Sequence, residues 1–176
     1  HHFSSNTDTE VIIHSYEEWG MNCVERFNGM WAFAIYDKRK ETIFLSRDRF
    51  GVKPLYFCMD EKGLIFSSEI KGILQHTINR IPNDKVVYDF LISGFVDHSP
   101  DTFFQGITRL MPGESMIYDL TRGTTSKFRW YDLASRLLDA GEITEKEAVK
   151  RIRDLFEDSV RYRLISDVPV GSCLSG

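Results

Sequence analysis

Residues 30–36 (MWAFAIY) constrain the fold most, because they are apolar on both faces of a predicted strand. Side chains alternate along a strand, so one face carries large groups and the other carries two alanines: Trp31, Phe33 and Ile35 against Ala32 and Ala34. A strand buried on both sides is typical of a layered sandwich rather than of a sheet with one wet face. The small Ala34 side chain predicts a second layer packed closely behind it.

Turn residues divide the following sequence into further short strands. Together with the first strand they predict an antiparallel meander at about residues 30–36, 42–45, 55–59 and 64–67. Short helices are predicted at 68–74 and 83–92, and a last hairpin is predicted around the polar turn 121–123, with strands at 115–120 and 125–131.

Two Thr-x-x-Glu patterns predict helix starts. Thr7 with Glu10 fits a capping box, Asp8 could also serve as the cap, and Gly20 would end this helix. Residues 144–147 repeat the pattern before an amphipathic helix of about five turns, at 3.6 residues per turn.

Composition excludes several classes of protein. The chain has 176 residues, is 42% hydrophobic and carries a formal net charge of -4, which favours a folded core and argues against a nucleic-acid partner. Its three cysteines are widely spaced, so a disulfide framework is not expected and a reducing cytoplasm fits best. Cys23 and Cys58 are predicted to be small buried groups. We expect neither a metal site nor a membrane-spanning segment.

Six segments carry a resemblance to a known family. In chain order they are 5–12 (SNTDTEVI), 28–37 (NGMWAFAIYD), 47–56 (RDRFGVKPLY), 66–71 (FSSEIK), 110–114 (LMPGE), and 167–171 (DVPVG) with 174–176 (LSG). The first five resemble the class-II glutaminase half of glutamine-dependent asparagine synthetases. The sixth resembles the entry to the pyrophosphate loop of the same family.

The resemblance implies an α+β fold in two parts. Residues 1–132 would form part of an αββα sandwich like that of the N-terminal-nucleophile hydrolases. Residues 133–142 would be a linker, and residues 143–176 would begin an α/β ATP-pyrophosphatase domain. The chain would then be an internal segment of a longer cytoplasmic protein.

The resemblance also implies a chemistry for the parent protein. A cysteine nucleophile hydrolyses glutamine, and the ammonia amidates an aspartate that ATP and Mg²⁺ have activated. In the family this cysteine, the arginine for the substrate carboxylate and the Asn-Gly oxyanion pair lie upstream of the matched residues. No catalytic residue is therefore expected in this segment, which should be inactive by itself and should not bind these cofactors tightly. The implied partners are small molecules, with a homodimer possible.

Four site residues follow from the resemblance. Asp8 would receive the α-amino group of glutamine, although local sequence by itself favours a helix cap. Leu174, Ser175 and Gly176 would contact ATP, because a glycine loop exposes backbone N–H groups to phosphate.

Two questions stay open at this level. The parent could be a related amidotransferase that acts on another acid, or a non-catalytic scaffold of the same fold. Residues 47–49 (RDR) could line a domain interface or form a structural charge network at the end of a strand; the network is favoured.

Overall fold

The structure is a computed structural model that describes residues 1–61, 63–76, 78–137, 141 and 143–171. These residues form two compact units, His1–Leu133 and Ala134–Gly176. The helices are α1 Asp8–Trp19, α2 Ile70–Ile73, α3 Asp84–Ser93 and α4 Glu145–Arg163, with 3₁₀ turns at Gly20–Arg26 and Ala134–Arg136. The strands are β1 Ala32–Asp37, β2 Thr42–Arg47, β3 Tyr56–Asp60, β4 Gly63–Ser67, β5 Thr108–Arg109, β6 Glu114–Asp119 and β7 Thr124–Arg129.

The strands form two antiparallel sheets. One sheet has the order β1-β2-β6-β7 and the other has the order β4-β3-β5. The predicted hairpins exist, including the last one, but the four-strand meander is wrong because β2 and β3 lie in different sheets. Tertiary packing decides which hairpins pair with each other, and the alternation of side chains along a strand does not encode it.

The helices and sheets form four layers, with one apolar cluster between each pair of neighbouring layers. The expected αββα sandwich is confirmed. The first cluster joins α1 and its 3₁₀ turn to the four-stranded sheet through Ile12, Tyr16 and Phe44. The second lies between the two sheets, where Leu45 and Met116 meet Leu55. The third joins the three-stranded sheet to the α2 region. Each sheet therefore packs against another layer on both of its faces.

Strand β1 is not buried on both faces along its whole length, which corrects the prediction for Ala34. Phe33 and Ile35 pack in the first cluster and Ala32 reaches the second. Ala34 is exposed, and the Tyr36 side chain is 60% exposed. The reason is that β1 is an edge strand, and the second sheet packs beneath β2 and β6.

A buried carboxylate organises the turn that carries the chain from β2 to β3. Asp48 is 1% exposed, and its side chain accepts hydrogen bonds from the backbone N–H groups of Trp31, Phe50, Val52 and Lys53, with N–O distances of 3.0–3.3 Å. The bond from Trp31 is buried and the other three are part-buried, so these donors would otherwise have restricted access to water as a replacement acceptor. The carboxylate thus joins the start of β1 to the crossover between the sheets.

The neighbouring Arg47 ties the second crossover, from β5 to β6, to the first. Its guanidinium donates to the carbonyl oxygens of Gly51, Lys53 and Leu110 at 2.6–2.8 Å. The N–H of Gly113 donates to the Asp48 carbonyl at 2.9 Å. Gly113 has φ +68° and a Cβ there would lie 2.6 Å from the Tyr131 carbonyl oxygen, so glycine is required. Arg49 likewise donates to the carbonyl oxygens of Glu25 and Phe27, so residues 47–49 have the structural role that the sequence favoured, with backbone groups as their partners.

The two predicted capping boxes have different outcomes. Thr144 and Glu147 form one at the start of α4, with Thr144 N–H donating to Glu147 Oε2 at 2.9 Å. Thr7 is the N-cap of α1, but its side chain makes no capping hydrogen bond there, and Gly20 ends the helix as expected. Glu10 instead bonds residues farther upstream.

Within the described ranges, no helix combines the length and the apolar character that a membrane span requires.

We predict that Asp48→Ala lowers the free energy of unfolding of this chain by about 2–3 kcal/mol, because it removes a buried acceptor shared by one buried and three part-buried backbone N–H groups. Urea unfolding followed by tryptophan fluorescence measures this, since Trp19, Trp31 and Trp130 all lie in the first unit. Asp119→Ala is the matched control. Asp119 also accepts two backbone N–H groups, but in an exposed turn. Equal losses for the two variants would contradict the organising role of Asp48.

Candidate functional site

The sequence-predicted residue Asp8 is the first residue of α1, not its cap. Thr7, with φ -93° and ψ 144°, is the N-cap. The Asp8 carboxylate is exposed, and among the residues that the structure describes it has no hydrogen-bond or ion-pair partner. A carboxylate in a first helical turn is stabilised by the helix dipole. The cap alternative is therefore wrong for Asp8, and its oxygens are available to a ligand.

Asp8 borders an open cleft of about 360 Å³ between α1 and the loop before β1. Its lining residues are Asp8, Val11, Ile12, Arg26, Phe27, Asn28, Gly29, Met30 and Trp31. The cleft combines one free carboxylate with apolar walls and the backbone of Asn28-Gly29. Arg26 is engaged elsewhere, because its guanidinium lies over the Trp19 ring at 4.4 Å. A small molecule with an ammonium group suits this combination.

Glu10 holds the segment that leads into Asp8. Its Oε1 accepts the N–H and hydroxyl of Ser4 at 2.8 and 2.9 Å, and its Oε2 accepts the N–H of Ser5 at 2.7 Å as well as the Ser5 hydroxyl. These donors, with the Ser4 N–H contributing most, lower the pKa of Glu10 to about 2. The carboxylate therefore stays ionised at neutral pH and keeps its partners.

A larger cavity of about 530 Å³ lies along α1 and the β1–β2 turn. There the Tyr16 hydroxyl donates to Asp37 at 3.0 Å, and Lys40 lies 3.2 Å from the same carboxylate. Burial, together with the Asp37 contact, raises the pKa of Tyr16. These groups neutralise one another, and no sequence-predicted site residue lines this cavity.

The described cysteines are not poised as nucleophiles. Burial raises the pKa of the Cys23 thiol to about 11 and also raises that of Cys58. The prediction that both are small buried groups is confirmed. The other three predicted site residues, Leu174, Ser175 and Gly176, lie outside the described residues.

Sequence reasoning missed two parts of this site. It assigned residues 28–30 to a family motif but not to a site. In the structure, the 3₁₀ turn after α1 brings them back beside Asp8. It also paired Glu10 with Thr7, whereas Glu10 reaches Ser4 and Ser5. Ser4 and Ser5 precede the helix in the sequence, but a capping pattern by itself does not say which upstream donor the Glu10 carboxylate binds.

Comparison with known families settles the class. Residues 1–131 match the glutamine amidotransferase domain, and residues 151–176 match asparagine synthase. The chain belongs to the glutamine amidotransferase domain family. The Asp8 cleft lies wholly within this amidotransferase domain.

Curated relatives match across both parts of the chain. A putative glutamine-hydrolysing asparagine synthetase 2 of Methanocaldococcus jannaschii is 42% identical, covering 98% of this chain and 33% of the relative. The glutamine-hydrolysing asparagine synthetase 3 of Bacillus subtilis is 33% identical, covering 100% and 28%. Amidase chry2 of Gibberella zeae is 28% identical, covering 99% and 25%. The chain thus spans about a third or less of the length of these relatives.

A solved structure of glutamine phosphoribosylpyrophosphate amidotransferase from B. subtilis, complexed with ADP and GMP, is 20% identical. The matched region covers 74% of this chain and 24% of the amidotransferase chain, with a TM-score of 0.48. The sandwich assignment for the amidotransferase domain rests on its own layers and core clusters.

We predict that Glu10 does not titrate near its ordinary pKa of 4.5 but near 2. A lowered folded-state pKa means that Glu10 contributes stability above the unfolded value, and this contribution is lost as pH falls from about 4.5 through about 2. The ¹³C side-chain carboxyl shift of Glu10 should stay flat from pH 7 to about 3.

Ser5→Ala is the matched variant for this titration. It removes one donor, so it should raise the Glu10 pKa towards its ordinary value. An inflection near 4.5 in the unmodified protein would contradict the contacts between Glu10 and the two serines.

Proposed function

We propose that the full-length protein is a glutamine-dependent asparagine synthetase. It would hydrolyse glutamine for ammonia and would amidate an ATP-activated aspartate. The observation that carries this proposal is the order of the two family matches in one chain, amidotransferase at 1–131 and asparagine synthase at 151–176. Relatives with asparagine synthetase names, at 42% and 33% identity, match across the whole chain and support it.

Asp8 is the proposed partner of the α-amino group of glutamine. Its carboxylate is exposed at the cleft and has no other partner among the described residues. A charge-assisted hydrogen bond between a carboxylate and an ammonium contributes about 1.5–3 kcal/mol. The cleft walls would accommodate the methylene groups of glutamine.

ATP and Mg²⁺ are the proposed cofactors of the second part. We propose Leu174, Ser175 and Gly176 as ATP contacts, supported by the asparagine synthase match that spans them. Of the described residues, one set of three, His1, His14 and Glu17, has the spacing for a metal ion. Two imidazoles and a carboxylate do not suit Mg²⁺, which prefers oxygen ligands. No step through Mg²⁺ is therefore assigned to the described residues.

The proposed domain layout has an amidotransferase part at 1–132, a linker at 133–142 and the start of the synthetase part at 143–176. A cytoplasmic location and homodimerisation are part of the same proposal. The compact units divide after Leu133, which is compatible with this layout.

The acceptor acid is the point at which a second candidate enters. Relatives with amidase names also match nearly the whole chain at 28% identity, so an amidotransferase for another acid is the alternative. The higher identity to asparagine synthetases favours aspartate. Assaying the full-length protein with glutamine, ATP and either aspartate or other carboxylic acids decides between them. Absence of both glutamine hydrolysis and amide formation would instead indicate a non-catalytic scaffold.

We predict that Asp8→Asn in the full-length protein raises the KM for glutamine by about tenfold or more, because the ammonium loses its ionic partner. Synthesis from free ammonia should be nearly unchanged, since ammonia bypasses glutamine hydrolysis. Steady-state assays with the two nitrogen sources measure the separation.

Asp84→Asn is the matched control for Asp8→Asn. Asp84 is also an exposed first residue of a helix, so it reproduces the loss of a helix-dipole interaction without the cleft. Equal loss of activity with glutamine and with ammonia in Asp8→Asn would count against a role in glutamine binding.

We predict the opposite pattern for Gly176→Val. A side chain at this position would obstruct the close approach of the backbone to phosphate, so synthesis from glutamine and from ammonia should both be lost while glutamine hydrolysis persists. Gly141→Val is the control, because a Cβ at Gly141 meets no atom within 4 Å. Circular dichroism checks folding of both variants. Wild-type asparagine synthesis by a folded Gly176→Val variant would remove Gly176 from the ATP site.

A further inference from the structure

Both carboxylate oxygens of Glu10 accept hydrogen bonds from residues that precede its helix, and His14 Nε2 of the same helix lies 3.5 Å from Oε1. Each oxygen receives one backbone N–H and one hydroxyl, from Ser4 at Oε1 and from Ser5 at Oε2. The Ser5 hydroxyl also lies 2.9 Å from the Thr7 hydroxyl. The segment from Ser4 to Thr7 is therefore held against the first turn of α1, immediately before Asp8.

These contacts contribute little to the core. Ser4 and Ser5 are exposed, and α1 is attached to the sheet by Ile12 and Tyr16, farther along the helix. Exposed charged contacts usually add little stability. What they do restrict is the conformation of the chain that precedes Asp8 at the mouth of the cleft.

We propose that Glu10 is a positioning residue for glutamine, acting through Asp8; this proposal rests on the proposed function. The hydrogen bonds of Glu10 hold residues 4–7 in one conformation. They therefore fix the start of α1 and the direction in which the Asp8 carboxylate points. The Glu10 carboxylate is ionised at neutral pH and can therefore accept all four of these hydrogen bonds there. Displacement of a binding group by about 1 Å can cost on the order of a hundredfold in rate.

The test uses the full-length protein with Glu10→Ala and Glu10→Gln. We expect Glu10→Ala to raise the KM for glutamine by about tenfold or more. Glu10→Gln should have a smaller effect, because its amide oxygen still accepts hydrogen bonds. Synthesis from ammonia should not change in either variant. Glu17→Gln, an exposed change on the same helix that does not touch Ser4 or Ser5, should behave as wild type.

A double-mutant cycle with Ser5→Ala locates the effect. If Ser5 and Glu10 act together, the KM increase of the double variant will be smaller than the product of the two single increases. An unchanged KM in Glu10→Ala, or equal losses with glutamine and with ammonia, would overturn the positioning role.

A second readout separates this proposal from the proposed function. NMR order parameters of the backbone N–H groups at residues 4–8 should fall in Glu10→Ala and stay unchanged in Glu17→Gln. A wild-type protein without glutamine hydrolysis would refute the proposed function. Unchanged order at residues 4–8 in Glu10→Ala would refute the positioning role whether or not the protein hydrolyses glutamine.

Discussion

The hydrogen bonds of Arg47 and Asp48 are the constraint on which the sandwich depends. The chain changes sheets twice in the first unit, between β2 and β3 and between β5 and β6. Both changes meet at this pair, because Asp48 binds the first crossover and Arg47 reaches the Leu110 carbonyl in the second. Backbone groups leaving a sheet lose their ladder partners, and these two side chains supply replacements. Backbone groups at both crossovers therefore keep hydrogen-bond partners where the chain leaves one sheet for the other.

The same pair connects the core to the loop that forms the cleft. The Asp48 carboxylate accepts the N–H of Trp31, and the Trp31 indole donates to the buried Ser46 hydroxyl at 3.3 Å. Trp31 also stacks on Trp130, with ring centroids 5.6 Å apart. Residues 28–30 precede this anchored tryptophan, so one wall of the cleft is attached to the buried core of the domain. The opposite wall, α1, is held by the first apolar cluster.

The N-terminal end of α1 is constructed differently from its core-facing side. Packing decides where the helix lies, through Ile12 and Tyr16. Polar contacts of Glu10 decide how the chain enters it. This division leaves the Asp8 carboxylate unshared at an exposed helix start, where its oxygens are available to a ligand. A helix cap would have committed the same oxygens to backbone donors.

The sequence by itself determined the local elements, because strand alternation, the Thr144–Glu147 capping box and the turn glycines are encoded within a few residues. Segment order was sufficient for the family, and it led to the proposal for Asp8. Tertiary structure decided the rest. It divided the expected meander between two sheets and left Ala34 exposed at a sheet edge. It also directed Glu10 to Ser4 and Ser5, since competing donors lie within reach only once the chain is folded.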